Sequence, residues 1–505
     1  MSFKTAIAKA SSLPLDPDAL DQLAKEALSQ GEEESALPLL ERAAEQAPTA
    51  RLWQWKGLLE RSIDDHGRAL ASFAEASRLD PTNVSIAHGR ARVAMEAGLD
   101  AQDLYRQARA LGPQNGQILI GLAAAMAAAG NGEQAIAELQ KGVGHSPMWL
   151  QGHEQLAQLL ATLGRADEAT ASLEQALARS PQSRPLWETL LNIQLRRGDY
   201  ASLGGIVDRA EAAGVSSPEF RIYRGIYAAE CDDQIYPEAL FADASAHVDA
   251  ALGRWQIRHL LRVEAVDAAL PLIDRELARE QSGELWAYAS TAWRLTDDPR
   301  WQWLEGDSRL VTMTDISMLL PPIDSLAATL RSLHSAKGEY LDQSVRGGTQ
   351  TDGPLFSRID PVIRQLRQAI VTAVERHLTQ LPAADPRHPT LRHCRDRRIR
   401  FSGSWSVRLR SGGRHSNHVH PQGWISSALY IALPPKGIDE PEDSGWLTLG
   451  QPDDLLRLDL PPWRKIEPKI GHLALFPSGM WHGTVPFEDG ERLTVAFDVA
   501  PPRPS

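Results

Sequence analysis

The sequence is poor in cysteine and contains no long apolar run. Only two cysteines occur among 505 residues, Cys231 and Cys394, and they lie far apart. This excludes a disulfide framework and predicts a reducing compartment, which we take to be the cytoplasm. No apolar stretch reaches the about 18 residues that a membrane-spanning helix needs. The N-terminus also lacks the apolar core of a secretory signal, so we expect neither a membrane partner nor export.

Positive charge is also scarce. The chain has 53 Lys and Arg residues against 65 Asp and Glu residues, for a net charge of −12, which argues against a nucleic-acid partner. The exception is one basic cluster, which comprises Arg392, Arg395, Arg397, Arg398 and Arg400. Two interpretations stay open for this cluster: a solvated edge of the fold, or a landing surface for an acidic substrate.

The N-terminal half contains an internal repeat with intervals of 33, 32, 34 and 34 residues. Its first column is alanine, followed four residues later by a large apolar residue, seven residues later by a small one and twelve residues later by proline. The first two columns are Ala36, Ala69, Ala101, Ala135 and Ala169, and Leu40, Phe73, Tyr105, Leu139 and Leu173. The spacing i, i+4, i+7 is one face of a helix that the proline ends.

This pattern resembles the tetratricopeptide repeat over roughly residues 15–215. The resemblance implies an α-solenoid of paired helices whose concave groove binds a protein or peptide partner. We predict a repeat domain over residues 1–215. Residues 216–300 keep a helical pattern but lose most repeat columns, and we interpret them as an irregular helical connector that carries no chemistry.

The C-terminal part changes character from about residue 300. Two helices are predicted at 323–334 and 360–381, followed by short alternating strands near 399–409, 424–433, 445–449, 472–476 and 492–499. Many short strands after helices favour a jelly-roll or double-stranded β-helix barrel over residues 301–505. The fold class is therefore multidomain α + β, in keeping with a chain too long for one core.

Two histidines near the C-terminus are separated by one residue. Residues i and i+2 of an extended segment point to the same side, so His418 and His420 can face one metal ion. His482 follows 62 residues later and can reach the same point from a neighbouring strand. Arg492 comes ten residues after His482, and Thr494 shares its strand face, so this pair can bind a carboxylate. Imidazole binds Fe(II), Zn(II) and Cu alike, so the ligand type leaves the metal open.

The same region resembles the Fe(II)/2-oxoglutarate-dependent dioxygenases, such as the prolyl 4-hydroxylases, over about residues 300–500. The resemblance is carried by Gly413, by His418-Val-His420-Pro-Gln-Gly-Trp-Ile-Ser-Ser-Ala-Leu-Tyr430, by His482 with Arg492, and by Gln343-Ser-Val-Arg346-Gly-Gly-Thr-Gln350-Thr. It implies Fe(II) on the three histidines, 2-oxoglutarate on Arg492 and Thr494, and O₂ as cosubstrate.

One departure concerns the third ligand, because His420 stands where the family has a carboxylate. Three arrangements stay open. The site is a three-histidine centre, which we favour; or His420 lies outside the ligand set and water fills the position; or a distant carboxylate such as Asp498 completes the set.

Further candidates surround this core. Tyr430 and Arg408 lie on predicted barrel strands, where they either bind the keto acid or pack in the core or at the rim. The segment Gln343–Thr351 is either a solvated loop or a lid, in which Arg346 and Gln350 contact substrate. Trp424 is a further substrate-contact candidate.

These patterns lead to one preferred function and two rivals. The preferred function is an Fe(II)- and 2-oxoglutarate-dependent dioxygenase that hydroxylates a protein or peptide held by the repeats. The first rival is a three-histidine metal oxygenase that needs no keto acid. The second is a non-catalytic repeat scaffold with a degenerate barrel.

Overall fold

The structure is a computed structural model that describes residues 3–10, 16–231, 250–338, 340–341 and 343–503. Its N-terminal part is a succession of helix pairs, each helix packing on its sequence neighbours. The bounds of these helices are Phe3–Ala10, Pro17–Gln30, Glu33–Gln46, Ala50–Ser62, His66–Leu79, Val84–Glu96, Gln102–Leu111, Gly116–Ala128, Gly132–His145, Leu150–Thr162, Ala171–Arg179, Arg184–Arg196, Tyr200–Ala212 and Glu219–Glu230. Among the described residues, no helix combines the length and the apolar character needed to cross a membrane.

The repeat columns form the core of this solenoid. Phe73 and Tyr105, from the large apolar column, are at most 1% exposed. They pack where the neighbouring helix has no side chain: a Cβ at Gly89 would lie 2.3 Å from the Phe73 ring, and one at Gly121 would lie 2.1 Å from the Tyr105 ring. Small and large residues therefore alternate between facing helices, as the columns predict.

The connector region is helical and well packed. Its described helices are Ala250–Arg262, Val266–Arg279, Gly283–Leu295 and Arg300–Glu305. Buried Glu230 at the end of the repeats accepts hydrogen bonds at 2.7 Å from both Arg258 and Arg262 of the connector. Arg258 also reaches Asp453 of the C-terminal part at 3.1 Å. This network ties the three parts of the chain together.

The C-terminal part holds two antiparallel sheets. The strands are β1 Thr312–Asp315, β2 Val345–Gln350, β3 Phe401–His415, β4 Ile425–Ala432, β5 Leu447–Leu449, β6 Arg464–Ile466, β7 His472–Pro477, β8 His482–Thr484 and β9 Arg492–Val499. The large sheet has the order β1-β7-β4-β9-β3-β2 and the small sheet the order β6-β5-β8. The predicted solenoid followed by a β barrel is confirmed.

The large sheet is covered on both faces. The helices Ile323–Ser332 and Pro361–Gln380 pack on its outer face, where Leu429, Val495 and Phe497 are buried. The inner face meets the small sheet through Phe476 and Leu447. Because both faces are buried, β4 has no exposed residue, which explains its nearly continuous apolar sequence.

Part of the basic cluster is used for contacts within the chain, whereas Arg392 and Arg398 are exposed. Arg400 binds Glu33 and Glu34 of the first repeat at 2.6 and 2.9 Å, and Arg397 binds Glu32 at 2.9 Å. These contacts join the barrel to the far end of the solenoid. The acidic partner of this cluster is thus a segment of the same chain.

The segment Gln343–Thr351 also differs from the expected loop. Its residues 345–350 form β2, the edge strand of the large sheet, paired with β3 and interrupted by a bulge between Arg346 and Gly348. Gly347 adopts a φ of +68°, and a Cβ there would lie 3.0 Å from the Cα of Gly413. The two glycines allow the strands to approach closely at the bulge.

Candidate metal and cosubstrate site

Three imidazole rings meet at the open end of the inner sheet face. His482 begins β8, and His418 lies just beyond β3. Their backbones form a two-way bridge, in which the N–H of each residue donates to the C=O of the other at 3.0 Å. His420 completes the group, and one ring nitrogen from each residue lies within 4.8 Å of the others. This spacing suits three ligands of one ion.

In both His418 and His482, the hydrogen bond at Nδ1 leaves Nε2 as the unprotonated ring nitrogen. Nδ1 of His418 lies 2.8 Å from the Ser416 carbonyl oxygen, and Nδ1 of His482 lies 3.0 Å from the Met480 carbonyl oxygen. A carbonyl oxygen only accepts, so both Nδ1 atoms carry the proton. The Nε2 atoms then carry the lone pairs that a metal would use, and at His418 the metal would take the place of the Ser344 hydroxyl, which lies 3.1 Å from Nε2.

His420 has a stronger partner on its Nδ1. The Asp498 carboxylate accepts from this nitrogen at 2.6 Å with one oxygen, and from the Ser426 hydroxyl at 2.5 Å with the other. The Trp405 indole stacks on His420 with centroids 5.5 Å apart and an interplanar angle of 4°. Asp498 therefore orients His420 from behind, an arrangement that raises the basicity of an imidazole ligand. With both oxygens engaged in this way, Asp498 stands outside the group of converging nitrogens.

Burial keeps the other two rings neutral. Desolvation lowers the pKa of His482 and of His418 well below 6.5, and the neighbouring histidines lower both pKa values further. A metal binds only the neutral imidazole. The rings are thus in the ligating protonation state at neutral pH.

A fourth histidine lies beside the group. The Ser344 hydroxyl is 3.1 Å from Nε2 of His418 and 3.1 Å from Nδ1 of His415. Burial lowers the pKa of His415 to about 3. The sequence analysis did not single out either residue, although His415 is three positions before His418 and Ser344 lies in the segment that resembles the oxygenases.

Arg492 lies deeper in the cavity and is 2% exposed. Its Nη1 donates to the Thr484 hydroxyl at 3.3 Å, and its guanidinium lies 5.2 Å from the centre of the Tyr430 ring. Its Nε and the Tyr430 hydroxyl are buried without hydrogen-bond partners. Desolvation lowers the pKa of Arg492 and raises that of Tyr430. A buried cation beside two orphaned polar atoms is an arrangement that an anionic ligand would stabilise.

One cross-strand row connects these groups. Gln350 on β2 pairs with Val407 on β3, Val407 pairs with Thr494 on β9, and Thr494 pairs with Tyr430 on β4. All four side chains share the inner face, since paired residues lie on one side of a sheet. Thr494 and Tyr430 thus flank Arg492, and Gln350 stands at the sheet edge.

The rings and Arg492 line one cavity of about 560 Å³. The other lining residues comprise mainly polar groups at the edge and small or apolar groups within: Gln343, Ser344, Gln350, Trp405, His415, Ser426, Ser427, Ala428, Leu447, Phe476, Gly483, Thr484, Thr494, Ala496 and Asp498. The structure thus brings together the three histidines, Arg492, Thr494 and Gln350 in one space.

Three residues that the sequence suggested lie elsewhere. Arg408 pairs with Leu493, so it occupies the outer face of the sheet, where it binds Glu491 at 2.6 Å. Arg346 is exposed and donates to the Gln343 carbonyl at 2.6 Å. Trp424 is 4% exposed and belongs to the core under the helices.

The connector supports the histidine strands from outside the cavity. The indole of Trp481, next to His482, donates to the Thr291 hydroxyl at 3.0 Å. Val419, between His418 and His420, packs in the same apolar cluster as Trp481 and Tyr288. The helix Gly283–Leu295 therefore contacts both chain segments that carry the rings.

Comparisons with solved structures find similarity to repeat proteins at low identity. A tetratricopeptide repeat protein from Parabacteroides merdae is 17% identical, with 47% of this chain and 96% of that chain covered and a TM-score of 0.29. Yeast Tom70 is 14% identical, with 57% and 62% covered and a TM-score of 0.36. YrrB, described as a repeat protein with an unusual peptide-binding site, is 18% identical, with 42% and 94% covered and a TM-score of 0.24. No curated protein matches this chain.

Family comparisons agree with the two parts of the fold. Residues 22–84, 99–163 and 150–183 match tetratricopeptide repeat families. Residues 403–498 match the family described as "Putative 2OG-Fe(II) oxygenase", a range that contains the three rings, Arg492 and Asp498. The chain thus combines tetratricopeptide repeats with a domain of this 2-oxoglutarate–iron oxygenase family.

Proposed function

We propose that this protein is an Fe(II)- and 2-oxoglutarate-dependent dioxygenase that hydroxylates a protein or peptide held by its repeats. The observation that carries the proposal is the convergence of three imidazoles beside a buried arginine. Among the described residues, no carboxylate pairs with Arg492, so its charge is left for a ligand. The family match over residues 403–498 supports the same chemistry.

The residues present fit both implied groups. Nε2 of His418, His420 and His482 would hold Fe(II), and Arg492 with Thr494 would hold the distal carboxylate of 2-oxoglutarate. The orphaned Tyr430 hydroxyl is a further donor for that carboxylate. When bound, iron with the keto acid and O₂ supplies the oxidising power for C–H hydroxylation.

The protein's own contribution is placement and exclusion of water. Asp498 holds the His420 ring in one orientation through the 2.6 Å bond to Nδ1. Phe476, packed 4.8 Å from the His482 ring, and buried Leu447 make the inner wall apolar. An apolar wall strengthens the electrostatic attraction between Arg492 and its anion, because the local dielectric is low.

The cysteines and the repeats support a compartment and a class of partner. Neither Cys231 nor Cys394 forms a disulfide, and both are exposed, which supports a reducing compartment such as the cytoplasm. The tetratricopeptide matches support a protein or peptide as the substrate that the repeats recruit.

The direct test uses full-length protein purified without oxygen and loaded with Fe(II) and 2-oxoglutarate. On admission of O₂ we expect one bound iron per chain and release of succinate even without a substrate protein. Absence of both succinate and 2-oxoglutarate binding would overturn the proposal. A chain that holds far less than one metal ion would instead fit a non-catalytic scaffold.

A second candidate, a three-histidine oxygenase that uses no keto acid, is favoured by His420 standing in the position of the family's carboxylate. Arg492→Ala separates the two. For the proposed enzyme, loss of the buried charge pair raises the 2-oxoglutarate concentration needed for half-maximal turnover by about 100-fold, or roughly 3 kcal/mol. For the rival, turnover responds to neither 2-oxoglutarate nor this substitution. Arg408→Ala, on the outer face of the same sheet, is the matched control.

A further inference from the structure

A second and larger cavity lies between the repeats and the barrel. This open space of about 1860 Å³ lies between the helices Val84–Glu96, Gly116–Ala128 and Leu150–Thr162 on one side and residues 332–336, 340 and 351–358 of the barrel part on the other. We call this space the interdomain groove. It is distinct from the metal cavity, with which it shares no lining residue.

Two backbone contacts fix the ends of the groove. At one end, the N–H groups of Lys337 and Gly338 both donate to the Thr162 carbonyl, at 2.9 and 3.0 Å. At the other end, the Ile359 N–H donates to the Ala97 carbonyl at 3.1 Å. A Cβ at Gly338 would lie 2.4 Å from the Ala161 oxygen, so this end requires glycine. The barrel segment therefore spans the repeat surface and leaves an open channel between its two contacts.

The repeat wall of the groove is shallow and apolar. Ala124, Ala127 and Ala128 line it, and Leu99 in the same wall is 46% exposed. Short side chains leave room for the backbone of an extended peptide, and the exposed Leu99 offers it an apolar contact. The polar side chains Gln155 and Gln158 supply groups that can bond a peptide backbone.

The barrel wall contributes an uncompensated carboxylate. Asp352 accepts a hydrogen bond only from the Gly353 N–H, at 2.9 Å, and no cationic side chain acts on it among the described residues. The Asp352 side chain is exposed at the groove, so a cationic side chain can reach it. Asp100 and Glu96 line the facing wall, and Glu96 is already paired with Arg61 and Arg92 at 2.6 and 3.0 Å. Arg358, on the barrel wall, is the one cationic residue among the described lining residues. Arg358 is already paired with Asp360 at 2.9 Å, so the groove favours a cation.

The interdomain groove and the metal cavity are separated by the chain at the end of β2. Gln350 lines the metal cavity, whereas the next residues, Thr351 and Asp352, line the groove. Adjacent residues are about 3.8 Å apart along the chain. A peptide lying in the groove at Asp352 is thus within a few residues of the edge of the metal cavity.

We propose that the interdomain groove binds an extended segment of the substrate protein with a Lys or Arg side chain paired to Asp352. Neighbouring residues of that segment then enter the metal cavity past Gln350. This inference deepens the proposed function and rests on it for the chemical step, but the binding step stands on the groove itself.

The test compares two fluorescein-labelled dodecapeptides of Ala, Gly and Ser that differ only in a central Lys or Glu, titrated against the full-length protein by anisotropy. We expect the Lys peptide to bind at least about tenfold more tightly. Asp352→Asn should bring the two affinities within about threefold, because the cation loses its partner. Ala128→Trp, at an exposed position of the groove wall, should weaken the Lys peptide by about tenfold or more. Asp324→Asn, at an exposed helix start, is the matched control and should change nothing.

Equal binding of the two peptides, no binding of either, or a Lys preference that survives Asp352→Asn would overturn the inference. Peptide-independent succinate release, measured on the same preparations, reports the proposed function separately. Succinate release without a preference for the Lys peptide would overturn only the inference about the groove. A preference for the Lys peptide without succinate release would overturn only the proposed oxygenase function.

Discussion

The repeat half and the barrel half of this chain build their structures from contacts of very different reach. In the repeats, each helix packs on its sequence neighbours, so a glycine such as Gly121 meets Tyr105, 16 positions away. In the barrel, His418 meets His482 and His420 meets Asp498, pairs separated by 64 and 78 residues. Local contacts make a surface that tolerates change one unit at a time, whereas the candidate site depends on the whole barrel having closed.

The strongest way to break this comparison is to remove one ring. His482→Ala deletes a buried nitrogen of the group, and we expect loss of stoichiometric iron and a fall in succinate release of about 10³-fold. Iron content and succinate are measured together with the far-ultraviolet helical signal, which should not change. His472→Ala, on neighbouring β7, is the control. An iron content of one per chain in His482→Ala would contradict the assignment.

A substitution in the packing column of the repeats should instead lower the free energy of unfolding. Gly121→Ala places a Cβ 2.1 Å from the Tyr105 ring, and such overpacking lowers the free energy of unfolding by about 1–3 kcal/mol. Gly144→Ala is the matched control, since no atom lies within 4 Å of its added Cβ and alanine favours the helix. Denaturant unfolding measures both variants. Equal stability of the two would show that the packing column carries no stability.

In the barrel half, acid is expected to lower the stability because it protonates a buried histidine. Burial lowers the pKa of His377 from 6.5 to about 4, with Arg395 adding to the effect. The unfolded chain therefore binds this proton more tightly, so stability is full above about pH 6.5 and falls as the pH drops toward 4. At pH 5 the loss is roughly 2 kcal/mol. His377→Gln should flatten the pH dependence of thermal unfolding over this range, and exposed His145→Gln should not.

The smallest expected effect concerns the support between the halves. Trp481→Phe removes the indole N–H that donates to Thr291, and we expect about 1 kcal/mol less stability and a severalfold lower iron affinity. In Trp463→Phe no such bond is lost, because that indole N–H is buried without a partner. Competition with a fluorescent iron chelator compares the two variants. Identical iron affinities would mean that the connector does not position His482.

Short-range patterns in the sequence predicted much of the fold. Alanine, large apolar and proline columns indicated the solenoid because each column packs against an adjacent unit. Apolar segments bounded by Pro and Gly turns located β4, β7 and β9 to within about two residues. The predicted strand at 445–449 contains β5. Strands β1, β6 and β8 are three or four residues long, too short to show a period, and the glycines of β2 hid its pairing with β3.

The site was predictable only where the spacing itself carried geometry. The i, i+2 rule put His418 with His420 and Arg492 with Thr494, and the same rule continues to Asp498 along β9. Arg408 was misplaced because the face it occupies depends on its pairing with Leu493, which no local pattern reveals. The partners of Arg400 lie 366 and 367 residues away, so the role of the basic cluster became visible only in the folded chain.

The bridge between residues 418 and 482 divides the three ring positions into two kinds. Two of them are held to each other by reciprocal backbone hydrogen bonds, which fix their relative positions whatever side chains they carry. The third lies outside this bridge: its backbone N–H donates to the Ser478 carbonyl at 2.9 Å, and its ring is oriented by Asp498. Residue 420 is therefore the position of this centre at which an anionic ligand can replace a neutral one. Such an exchange would change the reactivity of the centre and leave the bridge between residues 418 and 482 intact.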